Sequence, residues 1–131
     1  MINGLGTDII EVARIRAIYQ RHGQRFLDRI YSANEQTYCL QHQDPAQRLA
    51  ARWAAKEAFF KALGTGIIGA MRMSDIEVYH DHAGAPQLRA HGIAQECLQQ
   101  RGSTSCWLSF SHCHDYAVAT VILATVSNVG T

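Results

Sequence analysis

The sequence predicts an α+β fold in which a small antiparallel sheet packs against one long buried helix. Three observations predict it. The stretch from Pro45 to Leu63 is helical in character but lacks a broad polar face, and such a helix is normally buried on two sides. Ile76–His80, Cys106–His112 and Tyr116–Leu123 alternate in polarity or are rich in β-branched residues, as strands are. Short turns at Asp81–Pro86 and Cys113–Asp115 join neighbouring strands, which therefore run antiparallel. With 131 residues, the chain makes one domain, 1–131, able to bury roughly two-thirds of its unfolded surface.

The elements follow in order. Ile2–Asp8 is a short strand, and Gly4 and Gly6 within it imply that something approaches its backbone closely. Asp8 ends the strand, and Asp8 with Glu11 fits a capping box for a helix that buries Val12, Ile15 and Tyr19. Gly23 ends or bends that helix. Arg25–Tyr31 is a short amphipathic piece. Ser32 and Glu35 form a second capping box, opening a helix through about Gln41. Asp44-Pro45 starts the long helix, with Asp44 at the N-cap, Pro45 at the first helical position and Gln47 completing a box. At 1.5 Å per residue that helix is ~28 Å long. Residues 67–73 read as a loop. Ile76–His80 and Gln87–Ala90 pair as a hairpin. Gly92–Arg101 is a helix burying Ile93, Cys97 and Leu98, closed by Gly102. Tyr116–Leu123 is apolar enough for a central strand. The residues from Thr125 to Thr131 are small and polar, a loosely held end.

Composition narrows the function. Apolar residues make up 47% and charged residues 18%, so the chain is globular rather than disordered. A formal net charge of +1 argues against a broad nucleic-acid or membrane surface. Any anion site is therefore local. Cys39, Cys97, Cys106 and Cys113 show no CxxC spacing, which suggests reduced thiols in a cytosolic protein rather than a disulfide scaffold or a zinc framework. Met1 is not followed by a basic segment and a long apolar run, and no stretch approaches the ~20 apolar residues of a membrane helix.

Within the long helix, Leu49, Trp53, Phe60 and Leu63 share one stripe, and alanines cover much of the opposite side. Glu57 and Lys61 emerge one turn apart at the edge of the alanine surface. If exposed, they are an ordinary ion pair worth ~0.2–0.5 kcal/mol. Alternatively, Glu57 is a metal ligand beside a phosphate-facing Lys61, which requires a second hard oxygen ligand and an anion site nearby. Gly64-Thr65-Gly66 is both a helix C-cap followed by a turn and a set of N–H groups able to form an anion nest. Arg48, Arg52 and Lys56 form the only basic row of the helix, which is its solvent side or faces a phosphate. Arg14 and Arg21 lie seven residues apart on one stripe of the first helix, solvated or gripping an acidic partner. His80 and His82 sit at a turn as ordinary exposed histidines. His112, Cys113, His114 and Asp115 lack the distant partners a zinc site needs. His112 finishes a hairpin strand or donates to a phosphate.

Three segments together resemble a known family. They are Gly6-Thr7-Asp8-Ile9-Ile10-Glu11; Trp53-Ala54-Ala55-Lys56-Glu57-Ala58 continuing through Lys61-Ala62-Leu63-Gly64-Thr65-Gly66; and Ser109-Phe110-Ser111-His112 with Tyr116-Ala117. In order and over almost the whole chain they are similar to the holo-[acyl-carrier-protein] synthases, the short bacterial 4'-phosphopantetheinyl transferases. The resemblance implies that fold, and transfer of phosphopantetheine from coenzyme A to a serine of an acyl carrier protein, with adenosine 3',5'-bisphosphate as the other product. It implies that Asp8 and Glu57 hold Mg2+ and that Lys61 stands beside the transferred phosphate, with Glu57 and Lys61 the catalytic residues. Arg52 and His112 match positions near the phosphates of coenzyme A, as do Lys61 and the Gly64-Thr65-Gly66 turn. Arg14 and Arg21 fall on the helix that docks the acidic carrier, and relatives are homotrimers with sites between protomers. One departure is Cys113-His114, where many relatives carry a small hydroxyl residue. The rival classes are a non-catalytic coenzyme A-binding adaptor and a metal-dependent phosphoesterase.

Overall fold

In the computed structural model, which describes residues 1–65, 71–103 and 105–125, the first strand is longer than its glycines suggest. β1 spans Ile2–Glu11. It runs through Asp8 rather than ending there, so the expected Asp8–Glu11 capping box is absent. The helix α1, Val12–His22, has Glu11 as its N-cap with no side-chain cap bond. Its first donor, the Val12 N–H, is instead accepted by the Asp115 carbonyl at 2.9 Å. Continued pairing with β5 is what keeps these residues extended: Asp8 faces Ala119 and Glu11 faces Tyr116.

Gly23, at φ 55°, ends α1 and starts α2, Gln24–Ile30. Ser32 and Glu35 form the predicted capping box for α3, Ala33–Cys39. The long helix α4 is Ala46–Leu63, one residue shorter at its start than expected. Pro45 stands at the N-cap, and Asp44 reaches past it to accept the Ala46 N–H. A 3-10 turn, Met73–Asp75, leads into the hairpin of β2, Ile76–His80, and β3, Pro86–Ala90. Helix α5, Gly92–Arg101, ends on Gly102 as expected but buries Ala94, leaving Ile93, Cys97 and Leu98 only partly covered. β4, Ser105–His112, and β5, Tyr116–Ala124, close through the predicted turn, where the Cys113 N–H bonds to the Tyr116 carbonyl. Thr125 is tied down, donating its N–H to the Met1 carbonyl and its hydroxyl to the Gly102 carbonyl. The rest of the expected loose end lies outside the described residues, as does most of the 67–73 loop.

Among the described residues the strands form a three-stranded antiparallel sheet of order β1-β5-β4 and the separate β2-β3 pair. Helix α4 lies across the larger sheet and also packs on α1 and β2. Its fit to β1 explains both glycines. A Cβ on Gly6 would collide with the Ala58 carbonyl oxygen and stand 2.6 Å from the Ala62 nitrogen, and one on Gly4 would strike the Ala62 carbonyl oxygen. Glycine on the strand and alanine on the helix thus let two backbones touch. From β5, Ala117, Ala119, Val121 and Leu123 cover the same side of the sheet.

β5 is the central strand of this sheet, as expected, but the other side of the sheet stays open. Tyr116 is 48% and Val118 39% exposed. Register places Leu5 and Trp107 on either side of Ile122, and Ile9 beside Val118. Leu5, Ile9 and Trp107 are each more than 60% exposed.

The basic row of α4 faces inward rather than to solvent. Lys56 is wholly buried, its ammonium bonded to Glu35 Oε1 at 2.8 Å, to the Met73 carbonyl at 3.2 Å and to the Ile76 carbonyl. Glu35 in turn accepts the Val78 N–H at 3.1 Å through its other oxygen. A capping residue of α3 therefore doubles as the counter-ion of α4 and a fastener of β2. Arg52 is also buried, its guanidinium 4.4 Å over the Tyr38 ring and 5.7 Å from that of Phe110.

Candidate active site

Along β1, the helix-facing positions are Gly4, Gly6, Asp8 and Ile10. The two glycines bring the strand against α4, so the next side chain on that face, Asp8, is delivered to the seam between the elements. There Asp8 Oδ1 lies 3.0 Å from Lys61 Nζ, with Asp8 15% and Lys61 54% exposed. Glu57, one helical turn before Lys61, is half-buried. Its carboxyl is held above its ordinary range, first by burial and then by the Asp8 charge, with Lys61 acting in the opposite sense. Two carboxylates and one ammonium therefore share this seam. The Glu57–Lys61 pair is not the isolated surface contact that its spacing alone allows.

This donor set suits a hard divalent cation. Both carboxylates supply oxygen, and the mutual repulsion that raises Glu57 would be relieved by a positive ion between them. Among the described residues no group of three or more His, Cys, Asp and Glu gathers to hold a metal. A cation here would take its remaining ligands from water and substrate, as Mg2+ commonly does.

Just beyond Lys61, Gly64 takes the left-handed conformation at φ 77°, and its N–H caps the helix on the Phe60 and Lys61 carbonyls. Thr65 beside it is exposed, and Gly66 lies outside the described residues. His112, at the end of β4, is exposed. What shielding it has, followed by the charges of Arg48 and Arg52, holds its imidazolium form below the usual range. Arg52 departs from expectation. Rather than projecting an open guanidinium, it lies 2% exposed, donates to the Arg48 carbonyl and, among the described residues, leaves its buried Nε without a hydrogen-bond partner.

Arg14 and Arg21 are both exposed on α1. The same helix contributes Ile18 and His22 to a cleft of about 800 Å³, completed by Arg25, Phe26, Asp28, Arg29 and Ile30 of α2 and by Trp53 of α4. Sequence reading assigns this cleft no role, since its residues come from three helices. The stacking of Tyr38 on Arg52 is hidden for the same reason. Lys56 did leave a signal: a lysine inside an otherwise alanine and apolar surround needs a buried partner.

Comparison with known proteins agrees with the fold. The profile of the 4'-phosphopantetheinyl transferase superfamily matches residues 4–121. The holo-[acyl-carrier-protein] synthase of Koribacter versatilis is 47% identical over 123 residues, 94% of this chain and 98% of that one. The crystal structure of the holo-[acyl-carrier-protein] synthase from Neisseria meningitidis superposes with a TM-score of 0.87 at 38% identity, covering 95% of this chain and 100% of that chain. A holo-(acyl-carrier-protein) synthase from Bacillus anthracis, in complex with CoA (3',5'-ADP), gives 0.79 at 35% identity, covering 96% and 99%. The chain belongs to the 4'-phosphopantetheinyl transferase superfamily, and within it to the holo-[acyl-carrier-protein] synthase family.

Proposed function

We propose that the protein transfers 4'-phosphopantetheine from coenzyme A to a serine of an apo acyl carrier protein, releasing adenosine 3',5'-bisphosphate. The reaction is magnesium-dependent, takes place in the cytoplasm and supports fatty acid biosynthesis. The observation that carries this reading is the meeting of Asp8, Glu57 and Lys61 at the β1–α4 seam.

The serine oxygen bonds to the phosphorus on the pantetheine side of the diphosphate. The bond from that phosphorus to the bridging oxygen breaks, and its electron pair leaves with the adenosine bisphosphate. Asp8 and Glu57 would hold Mg2+, which when bound supplies positive charge against the diphosphate. Lys61 offsets charge on the transferring group and on the departing phosphate. The serine proton passes to Glu57 or to a water. The Gly64-Thr65-Gly66 turn, Arg52 and His112 bind the phosphates of coenzyme A.

The carrier docks on α1 through Arg14 and Arg21. Support comes from the adjoining cleft, where the apolar groups of Ile18, Phe26 and Trp53 are rimmed by Arg25 and Arg29. That is a complement for an acidic surface with apolar anchors. The active assembly is a homotrimer with sites between protomers. The open apolar face of the sheet supports it, since exposed apolar patches of this kind mark interaction surfaces.

The test is intact-mass spectrometry of an apo carrier mixed with the protein, coenzyme A and Mg2+. A gain of one phosphopantetheine on the carrier is expected. Release of free phosphopantetheine without any carrier would make the protein a phosphoesterase. Coenzyme A binding with no transfer to several carriers would make it an adaptor.

A further inference from the structure

The proposed site sets a diphosphate at the C-terminal end of α4, and elementary electrostatics opposes that placement. A helix C-terminus carries roughly half a negative charge, and its last carbonyls present lone pairs. Lys61 stands in that last turn, 3.0 Å from Asp8, and one cation is little against a diphosphate and a helix C-terminus together. A second cation comes from a different helix. Arg101, the last residue of α5, is exposed and donates Nη1–H to the Leu63 carbonyl at 2.7 Å and Nη2–H to the Asn3 carbonyl at 2.5 Å. The same Nη1 would lie 3.9 Å from a Cβ built on Gly64. Among the described residues no carboxylate forms an ion pair with Arg101. Both of its bonds go to neutral carbonyls, so its full positive charge remains at the Gly64–Thr65 turn.

We propose that Arg101 is a specificity-determining residue for the diphosphate of coenzyme A: it caps the Leu63 carbonyl and places a cation beside the Gly64–Thr65 turn, so that the electronegative end of α4 accepts a polyanion. The planar fork matters, because one guanidinium bonds α4 and β1 together while its charge faces the turn. The inference rests on the coenzyme A reading of this site.

The test is calorimetric titration of coenzyme A and of adenosine 3'-phosphate, which lacks the diphosphate, into wild-type protein, Arg101→Gln and Arg101→Lys, with transfer kinetics on the same samples. Arg101→Gln is expected to weaken coenzyme A binding and raise its KM roughly tenfold, with kcat within about threefold. Affinity for adenosine 3'-phosphate stays within about twofold, and Arg101→Lys recovers most of the loss. Should Arg101→Gln melt below the assay temperature, Arg101→Met takes its place. A folded neutral variant with wild-type coenzyme A affinity at low salt would overturn the proposal, as would equal losses for the two nucleotides. Wild-type protein that binds no coenzyme A would sink the underlying reading instead.

Discussion

Lys61 and Asp8 are 53 positions apart, yet Nζ of one lies 3.0 Å from Oδ1 of the other. Their meeting depends on two residues that carry no side chain. Gly4 and Gly6 let the backbone of β1 rest on the Ala58–Ala62 turn of α4, and Asp8 follows on the same face. Gly6→Ala is therefore expected to act twice. Its methyl meets the Ala58 carbonyl, a rigid obstacle, and such overpacking costs about 1–3 kcal/mol or somewhat more. Whatever relief β1 finds by lifting away also carries Asp8 off the seam. Urea melts should show the stability loss, and transfer at temperatures where the variant is folded should stay well below wild type. Wild-type turnover in a folded Gly6→Ala protein would show that the seam tolerates that displacement.

Glu57→Gln separates chemistry from folding. The amide keeps the shape of the side chain but removes the charge that burial and Asp8 disfavour. The metal-free variant is expected to melt at or slightly above the wild-type temperature. Transfer should fall on the order of a hundredfold, the scale of losing one preorganised electrostatic group. Full activity in this variant would remove Glu57 from the metal site.

The raised Glu57 carboxyl also gives a pH signature. A carboxyl whose folded pKa exceeds its unfolded value contributes stability below the unfolded value, about 4.3. That contribution is lost as pH rises through the folded value, because the folded state then holds an ionised group it disfavours. Relative to Glu57→Gln, metal-free wild-type protein should lose stability as pH climbs through that window. Mg2+ should reverse the trend, since a bound cation favours the ionised form. Urea midpoints of both proteins from acid to neutral pH, with and without Mg2+, check the sign. Parallel curves for the two proteins would show that Glu57 feels no such environment.

Much of this was legible in the sequence where the signal is local. The Ser32–Glu35 box, the glycines closing α1, α4 and α5, and the hairpin turns follow from residue types a few positions apart. What the sequence hid depends on pairing at long range. An aspartate before a helical stretch reads as a cap, and only the register of β1 against β5 shows that Asp8 is still strand. Arg52 and Lys56 share a helical row, but the partners that bury them lie in α3, β4 and the turn before β2. β5 is apolar on both faces, so composition cannot tell that one face meets α4 and the other is left open. The family motifs reached the seam residues where spacing alone favoured blander readings.

The Glu35–Lys56 pair is a stability element with an asymmetric response. Both side chains are fully buried, and burial alone pulls the lysine toward neutrality while Glu35 opposes it. Lys56→Met alone strands a buried carboxylate and is expected to cost about 3–5 kcal/mol. Glu35→Leu combined with Lys56→Met removes both charges, and such replacements are often close to neutral. The double variant should regain much of the loss, short of full recovery because the Ser32 and Val78 N–H groups and two carbonyls lose their partners. Denaturant melts of both single variants and the double variant measure the coupling. Additive losses would show that the charges do not depend on one another.

The open face of the sheet makes the last prediction. Leu5, Ile122 and Trp107 form one cross-strand row, Thr7, Thr120 and Ser109 the next, and Ile9 and Val118 lie in the row beyond that. No charged side chain interrupts these positions, and in the protomer they gain nothing by facing water. If this face is the interface of the proposed trimer, a charge at its centre must desolvate against the two other copies of itself. Val118→Lys is the sharper choice, because Val118 lies on the central strand, whereas Trp107 lies on an edge strand. The variant is expected to keep its secondary structure, since Val118 lies on the open face of the sheet, away from α4. It should run as a monomer in size-exclusion chromatography with light scattering, and its transfer activity should collapse if sites lie between protomers. Trp107→Ala, which shrinks the patch without charging it, should weaken association more gently and make the mass concentration-dependent. A Val118→Lys protein that keeps the wild-type mass would place the interface on another surface.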